Sequence, residues 1–239
     1  MYNKQLRFTR PEIEFKLYRT VVNVEKVMAA SSDYLYLKRR GYSMKSILDI
    51  IGNRFQLNND ERNVLYRGFF TKKEKRSRMN RILSEKNVNR SLLEIDGYNQ
   101  LITIESYRMG RFVFKATDGI VRDTASVYRS YKITDITVEV LGILIKNLRY
   151  LRLSEAKFYF DKPISRSGEL CALVNDLMSK HRVAGNAETV LSPDYVLKNA
   201  RFVATSDSVI ISEAKGIFDL AGWLITRVWR PKLVDFSAC

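Results

Sequence analysis

From Ser91 onwards, five short apolar runs are each followed, within about three residues, by an aspartate. The runs are SLLEI, RFVFKA, KFYF, ETVL and RFVAT, and the acidic residues after them are Asp96, Asp118, Asp161, Asp194 and Asp207. If the runs are parallel strands, residues just past their carboxyl ends gather along one edge of the sheet. Carboxylates crowded there repel one another unless a cation neutralises them. The pattern therefore predicts a Mg²⁺ or Mn²⁺ site, with Asp123 in GIVRD as a further ligand.

Each of these aspartates also has an ordinary structural interpretation. Asp-Gly at Asp96 and at Asp118 is a strong hairpin-turn dipeptide, so that SLLEIDGYNQLITIE could form two antiparallel strands. Asp194 follows Ser-Pro and could cap the helix YVLKN. Asp161 and Asp207 could likewise cap the segments after them. The sequence leaves these alternatives open.

A second feature is the segment DKPISRSGEL, which lies between a predicted strand and a predicted helix. Backbone N–H groups and a guanidinium at such a junction can hold a phosphate. The residues concerned are Ser165, Arg166, Ser167 and Gly168. Alternatively, Ser165 or Ser167 is an N-cap, with Glu169 favoured by the helix dipole. Asn99 is a further substrate contact, unless it is an ordinary turn residue.

The net charge of +15 predicts a polyanionic partner. Residues 1–90 hold 21 Lys and Arg against 9 Asp and Glu, whereas the rest holds 20 against 17. The densest basic run, TKKEKRSRMNR, is suited to phosphate contacts or is the solvated face of a linker helix. Its cationic residues are Lys72, Lys73, Lys75, Arg76, Arg78 and Arg81.

The elements that must position these residues fall into two parts. Between Pro11 and Leu83, apolar residues recur at three- and four-residue spacing, which predicts a basic all-α domain over residues 1–88. Start and stop signals divide it: caps at residues 31–33 and at Ser43, a stop at Gly41, and Asn58, Asn59 and Asp60 before the helix ERNVLYRGFF. Residues 89–239 alternate short apolar runs with helical stretches, which predicts a three-layer α/β domain with a parallel sheet.

Other residue types limit the chemistry. His181 stands alone, so zinc sites built on several histidines and histidine-pair mechanisms are not expected. Cys171 and Cys239 show no metal-ligand spacing and fit a reducing compartment. Because no apolar stretch reaches the roughly 20 residues of a membrane span, we expect a cytoplasmic protein with no membrane partner. Its oligomeric state, including a homodimer, stays open.

Three motifs resemble those of a known family. LEIDGYNQLI resembles the opening strand motif of the NYN branch of the PIN-like nuclease superfamily, FYFDKP its second acidic strand end, and VATSDSVII its terminal T-S-D element. The resemblance covers about residues 91–225 and implies a PIN-like fold in which Asp96, Asp161 and Asp207 bind metal. With its basic helical front half, which includes RRGYSMKSILDIIGNRFQLNNDERNVLYRG, the chain is similar to a group of uncharacterised archaeal and bacterial proteins.

The resemblance implies hydrolysis of phosphodiester bonds, in RNA rather than DNA, assisted by Mg²⁺ or Mn²⁺. Asp123 or Asp118 would complete the acidic set, and Lys162 and Arg166 would clamp a phosphate. The further acidic residue that many PIN-like enzymes carry on a helix has several candidates, namely Asp118, Asp123, Asp135, Glu139 and Glu169. An incomplete set would leave a nucleic-acid-binding protein that does not cut. Another Mg²⁺-dependent phosphate-transfer enzyme is a third alternative, but the G-x-x-x-x-G-K-[ST] phosphate loop is missing.

Overall fold

The computed structural model of the protein describes residues 22–125 and 131–239. The N-terminal part is helical, as its periodicity predicts. Its helices are α1 (Val24–Arg39), α2 (Met44–Arg54), α3 (Asn59–Gly68), α4 (Lys72–Met79) and the short α5 (Glu85–Val88). The start of the predicted helical pattern, from Pro11 to residue 21, lies outside the described residues.

These helices begin at polar caps, but one predicted set of caps is wrong. Ser43 caps α2 and Asn58 caps α3, each by accepting a backbone hydrogen bond, as expected. Gly41 follows α1 with a φ of 81°, a backbone conformation that favours glycine. The polar residues 31–33 do not start a helix, because α1 runs straight through them from its own cap at Asn23.

Beyond residue 89 helices separate the strands, except between the second and third strands. In chain order they are β1 (Leu92–Asp96), α6 (Gly97–Arg108), β2 (Val113–Lys115), β3 (Val121–Asp123), α7 (Asp135–Leu148), β4 (Glu155–Asp161), α8 (Ser167–His181), β5 (Gly185–Val190), α9 (Pro193–Leu197), β6 (Phe202–Ala204), α10 (Ser208–Glu213), β7 (Gly216–Ile217), α11 (Leu220–Trp229) and β8 (Val234–Asp235). None of the helices in the described ranges has the length and apolar character of a membrane span.

Within the described residues, five strands form the main sheet, in the order β5-β4-β1-β6-β7. Every neighbouring pair runs parallel, which confirms the predicted α/β class. The chain moves outward from β1 through β4 to β5, then returns to the other side of β1 with β6 and β7. In open α/β sheets, ligands bind outside the carboxyl ends of the strands where the strand order reverses. Here that position lies beside the ends of β1 and β6.

The run RFVFKA does not belong to the main sheet, so its predicted place was wrong. It contains β2, which pairs antiparallel with β3 and parallel with β8 in a separate small sheet. Asp118 and Gly119 form the turn between β2 and β3, and Gly119 has a φ of 87°. The hairpin alternative is therefore correct for Asp118. For Asp96 it is wrong, because α6 follows β1 directly.

The N-terminal helices share their core with the small sheet. Tyr34, Leu65 and Phe69 are buried in a cluster that also contains Phe114 of β2 and Phe236, the residue after β8. The ring of Phe236 lies 5.1 Å from that of Phe69 and 5.7 Å from that of Phe114. Burial of these rings fixes the helices against the α/β part.

Candidate functional site

A cleft with a volume of about 390 Å³ opens at the carboxyl ends of β1 and β6, where the strand order reverses. Its wall carries the aspartates Asp96, Asp123, Asp194 and Asp207 and the arginines Arg67 and Arg122. The structure thus brings four of the six aspartates proposed from the sequence to one cavity. Asp118 and Asp161 do not line it.

Asp96 is the most deeply placed of these carboxylates. It ends β1 and caps α6: its Oδ1 accepts a long hydrogen bond from the N–H of Asn99 at 3.4 Å, and its Oδ2 accepts one from the hydroxyl of Thr205 at 2.9 Å. Burial raises the pKa of Asp96 to about 7, and the negative charges of Asp207 and Asp194 add to the rise. A bound cation would reverse this, since it favours the ionised form.

Asp207 stands beside Asp96 on the loop after β6. Its Oδ1 caps α10 by accepting hydrogen bonds from the N–H groups of Val209 and Ile210 at 2.7 and 3.2 Å. The Oδ1 of Asn99 accepts hydrogen bonds from the N–H and hydroxyl of Ser206 at 2.8 and 3.0 Å. Asn99 therefore ties the loop that carries Asp207 to the helix that Asp96 caps.

Asp194 and Asp161 contribute charge from the neighbouring elements. Asp194 lies in the first turn of α9, and burial, followed by the charges of Asp207 and Asp161, raises its pKa. Asp161 ends β4, two residues beyond Tyr159, which is paired with Asp96. Successive side chains alternate between the faces of a sheet, so Asp161 shares a face with Asp96. Its predicted role as a metal ligand stays a prediction.

Asp123 also lines the cleft, but the protein already occupies its oxygens. Its Oδ2 accepts a hydrogen bond from the hydroxyl of Thr103 at 2.7 Å, and its Oδ1 accepts one from the N–H of Ala125 at 2.7 Å. The guanidinium of Arg67 lies 3.3 Å from the same Oδ1. In this arrangement Asp123 anchors Arg67 at the edge of the cleft.

Asp118, proposed as a metal ligand, is instead the centre of a buried ion-pair network. Its oxygens accept hydrogen bonds from Arg122 at 2.6 and 2.9 Å and from Arg78 at 3.2 Å. Burial alone would raise the pKa of Asp118, but the two guanidiniums hold it below its usual value. The network reaches the cleft, because Arg122 donates to the carbonyl of Ser206 and Arg78 to that of Ser208. The two arginines therefore hold the backbone on both sides of Asp207.

The basic run on α4 is only partly available to a ligand. Arg78 was a predicted phosphate contact, and this is corrected, because its side chain is buried over the ring of Phe70 and paired with Asp118. Lys75 donates to the carbonyls of Ser237 and Cys239 at 2.8 and 3.0 Å. The side chains that remain exposed are Lys72, Lys73 and Arg76, which line a shallow depression.

The segment DKPISRSGEL lies outside the residues that line the cleft. Arg166 is the N-cap of α8 in a left-handed conformation, with a φ of 64°, and its guanidinium pairs with Glu169 at 2.7 Å. Ser167 is buried, and its hydroxyl donates to the carbonyl of Lys162 at 3.3 Å. Ser165 and Lys162 are exposed. Phosphate binding by this segment stays a prediction.

Sequence reasoning missed the wall that α3 contributes. Asn63, Tyr66 and Arg67 line the cleft, and the side chain of Asn63 donates to the carbonyl of Thr124 at 2.9 Å. The sequence places all three on one helix, but helical periodicity does not say which face of that helix meets the cleft. Arg122 was also missed. It lies on β3, and a strand of three residues is too short for its sequence pattern to show which side chain faces the cleft.

The cleft offers oxygen donors, yet not a preformed cage. Among residues 22–125 and 131–239, no three His, Cys, Asp or Glu side chains are grouped closely enough to hold a metal ion. Mg²⁺ usually keeps several waters and uses only one or two carboxylates together with substrate phosphates. Asp96 and Asp207 supply two carboxylates, and the Oδ2 of Asp207 accepts no hydrogen bond within the described part of the chain. This donor set fits Mg²⁺ or Mn²⁺ bound in that open manner.

The fold and cleft define an α/β protein with an acidic cleft at the switch point of a parallel sheet. Comparison with known sequences places it more narrowly. Residues 85–223 match the family described as a domain of unknown function (DUF5616), and residues 26–81 match the one described as a protein of unknown function (DUF434). Since the first match spans more than half of the chain, the chain belongs to the DUF5616 family.

A relative in the archaeon Methanocaldococcus jannaschii extends this relationship along most of the chain. It is an uncharacterized protein, 31% identical over 201 residues, and the alignment covers 83% of this chain and 95% of that protein. The similarity therefore includes both the helical and the α/β parts. No solved structure matches the chain.

Proposed function

We propose that the protein is a divalent-metal-dependent nuclease that hydrolyses phosphodiester bonds, in RNA rather than DNA. One observation carries the proposal. Asp96, Asp194 and Asp207 converge on the cleft at the switch point. The pKa values of Asp96 and Asp194 are raised, chiefly by burial, and the charge of Asp207 adds to both. Crowded carboxylates of this kind are stabilised by a cation, and perturbed groups in a cleft are typical of functional sites.

The resemblance to the NYN branch of the PIN-like superfamily supports this proposal at the level of motifs. I-D-G-Y-N supplies Asp96 and Asn99, and T-S-D supplies Thr205, Ser206 and Asp207. These two motifs are joined by the hydrogen bonds of Thr205 to Asp96 and of Ser206 to Asn99. Membership of that superfamily is part of the proposal.

In this mechanism, Asp96 and Asp207 would hold Mg²⁺ or Mn²⁺. Such an ion, when bound, supplies Lewis-acid stabilisation of the charge that develops on the phosphodiester. Thr205 orients the carboxylate of Asp96, and Asn99 keeps the loop of Asp207 against α6. Asp194 and Asp161 add negative potential that favours a cation. Exposed Lys72, Lys73 and Arg76 would bind flanking phosphates in a salt-dependent way. We place this activity in the cytoplasm.

Cleavage assays with matched variants test the proposal. We expect the purified chain to cut a labelled single-stranded or structured RNA with Mn²⁺ and not with EDTA, and Asp96→Asn and Asp207→Asn to lower the rate at least about a hundredfold. Asp176→Asn is the control, because Asp176 is exposed on α8, away from the cleft. Turnover by Asp96→Asn comparable to that of the control would refute the assignment.

The second candidate is a nucleic-acid-binding protein that does not cut. It is favoured by the finding that no three metal-ligating side chains are grouped in the described ranges. Binding that is equal in Mn²⁺ and EDTA, without cleavage of single-stranded, structured or duplex RNA or DNA, would support it. A phosphomonoesterase assay on the same samples tests the third alternative.

A further inference from the structure

α3 adds a cationic and an aromatic side chain, Arg67 and Tyr66, to the wall of the acidic cleft. α3 is fixed to the α/β part by Asn63, which donates to the carbonyl of Thr124, and by Arg67, which donates to the carbonyl of Ala125 at 3.4 Å. Arg67 and Tyr66 face a cavity whose other charged lining groups are mostly carboxylates. A phosphate that approaches those carboxylates is repelled unless cations accompany it.

Arg67 and Arg122 differ in what their guanidiniums can still bind. All three nitrogens of Arg122 donate to protein oxygens, on Ser206, Asp118 and Ile120, and its side chain is almost wholly buried. In Arg67, Nη1 makes the contacts to Asp123 and Ala125, whereas Nε and Nη2 donate to no acceptor within residues 22–125 and 131–239. Its side chain is 22% exposed. A guanidinium carries five N–H donors, so Arg67 retains donors for a ligand.

Tyr66 supplies an aromatic surface next to this cation. Its side chain is 49% exposed while it lines the cleft. Val209, at the start of α10, also lines the cleft and is 52% exposed. An exposed ring beside a cationic group matches the pattern by which proteins hold single-stranded nucleic acids, with a base on the ring and a phosphate on the cation.

We propose that α3 forms a nucleotide-binding wall, in which Arg67 binds a backbone phosphate and Tyr66 stacks on an unpaired base. This inference rests on the proposed function, and it assigns part of that function to the helical region rather than to the α/β part. Arg67 holds the phosphate with its remaining donors while Asp123 keeps the guanidinium in place. Because a base inside a duplex is already stacked on its neighbours, the wall selects single strands.

Fluorescence anisotropy in EDTA tests the wall without requiring metal or cleavage. The probes are a fluorescein-labelled single-stranded dodecanucleotide, as RNA and as DNA, and its blunt duplex. We expect Tyr66→Ala to weaken binding of the single strand about tenfold and Tyr66→Phe to restore it. Tyr36→Ala is the matched control, because Tyr36 is 50% exposed on α1 and does not line the cleft. It should bind like the wild type.

Salt dependence distinguishes the two residues. Arg67→Gln should weaken binding and lower the slope of log K against log salt by about 1, as expected for one lost phosphate contact. Tyr66→Ala should leave the slope unchanged. Arg67→Lys, which keeps the charge beside Asp123, should retain the slope. Circular dichroism of Arg67→Gln checks that this variant is folded, since it leaves the buried Asp123 without its cation.

The outcomes separate this inference from the proposed function. Absence of binding by the wild-type chain, equal binding by Tyr66→Ala and Tyr36→Ala, or an unchanged slope for Arg67→Gln would overturn the nucleotide-binding wall. Binding that depends on Tyr66 and Arg67, without Mn²⁺-dependent cleavage, would support the nucleotide-binding wall and contradict the nuclease proposal. Cleavage that does not change when either residue is replaced would support the nuclease proposal and contradict the wall.

Discussion

The guanidinium of Arg122 donates hydrogen bonds of 2.6 and 2.9 Å to the two carboxylate oxygens of Asp118, four residues earlier in the chain. Both side chains are almost fully buried. The pair closes the β2–β3 hairpin and, through the contact of Arg122 with the carbonyl of Ser206, supports the loop that carries Asp207. Asp118, which resembled a metal ligand in the sequence, thus supports the loop of Asp207 indirectly, through Arg122.

Asp118→Asn should strongly destabilise the fold. Removing one partner of a buried ion pair leaves an uncompensated charge and costs about 3–5 kcal/mol. Urea unfolding followed by circular dichroism measures this loss. Asp235→Asn is the control, because Asp235 pairs with Lys115 at the surface, where such pairs contribute about 0–1 kcal/mol. Equal losses for both variants would contradict the structural role of the network.

The raised pKa of Asp96 predicts how stability depends on pH. This pKa is about 7 in the folded chain, chiefly through burial, against 3.8 for an ordinary aspartate. Between these values the folded state keeps a proton that the unfolded state has released. The free energy of unfolding of the metal-free protein therefore falls as the pH rises from about 4 to about 7. Asp96→Asn should remove much of this slope in urea unfolding measured with EDTA.

Asp219 provides an internal reference for the same titration. Burial raises its pKa to about 6, and its contacts with the N–H groups of Val121 and Gly222 are unaffected by a change at Asp96. The Asp96→Asn variant should therefore keep a weaker slope of the same sign, to which Asp219, Glu105 and Asp194 contribute because burial raises the pKa of each. A slope equal to that of the wild type would show that Asp96 is ionised throughout.

Divalent cations should stabilise the folded chain through the cleft. A ligand at a hundred times its Kd adds about 2.7 kcal/mol, which corresponds to a rise in Tm of roughly 5–10 °C for a chain of this size. Thermal unfolding with Mn²⁺ and then with excess EDTA measures the shift. We expect Asp96→Asn and Asp207→Asn to lose most of it and Asp176→Asn to keep it. A shift of the same size in all three variants would place the ion elsewhere.

The exposed part of the α4 basic run should contribute to nucleic-acid affinity through charge alone. Lys72→Glu with Lys73→Glu should weaken binding of RNA and lower the salt slope by about 2, one for each lost phosphate contact. The doubly substituted control, Lys180→Glu with Lys215→Glu, changes the net charge equally at exposed positions away from the cleft. If both double variants lose the same affinity, the effect is one of overall charge.

The main sheet could be predicted because its strands are short apolar runs between helical stretches. The same local pattern wrongly placed RFVFKA in the main sheet. The residues that follow Asp96-Gly97 and Asp118-Gly119 nevertheless differ. After Asp96 the apolar residues continue at helical spacing, as in α6, whereas after Asp118 only the short run GIVRD remains, which suits the second strand of a hairpin. Strand direction depends on long-range pairing, which a local pattern does not contain.

The candidate site was predictable only on its acidic side. Asp96, Asp194 and Asp207 follow strand ends, and a parallel sheet brings such positions together whatever lies between them. Arg67 and Tyr66 lie on a helix about 25 residues before β1, and their place in the cleft depends on how α3 packs against β3. Asp118 and Arg78 were predicted to bind a metal ion and a phosphate, respectively, but they are buried and paired with each other. Burial and pairing are properties of the folded chain that the sequence pattern does not show.

The contact of Phe236 with Phe69 and Phe114 also constrains how the chain is made. During synthesis, the first helices emerge from the ribosome long before residue 236 is added, and until then their aromatic cluster lacks its closing ring. The cleft itself is completed only after most of the chain has been synthesised, because Asp207 and Val209 are among the residues that line it.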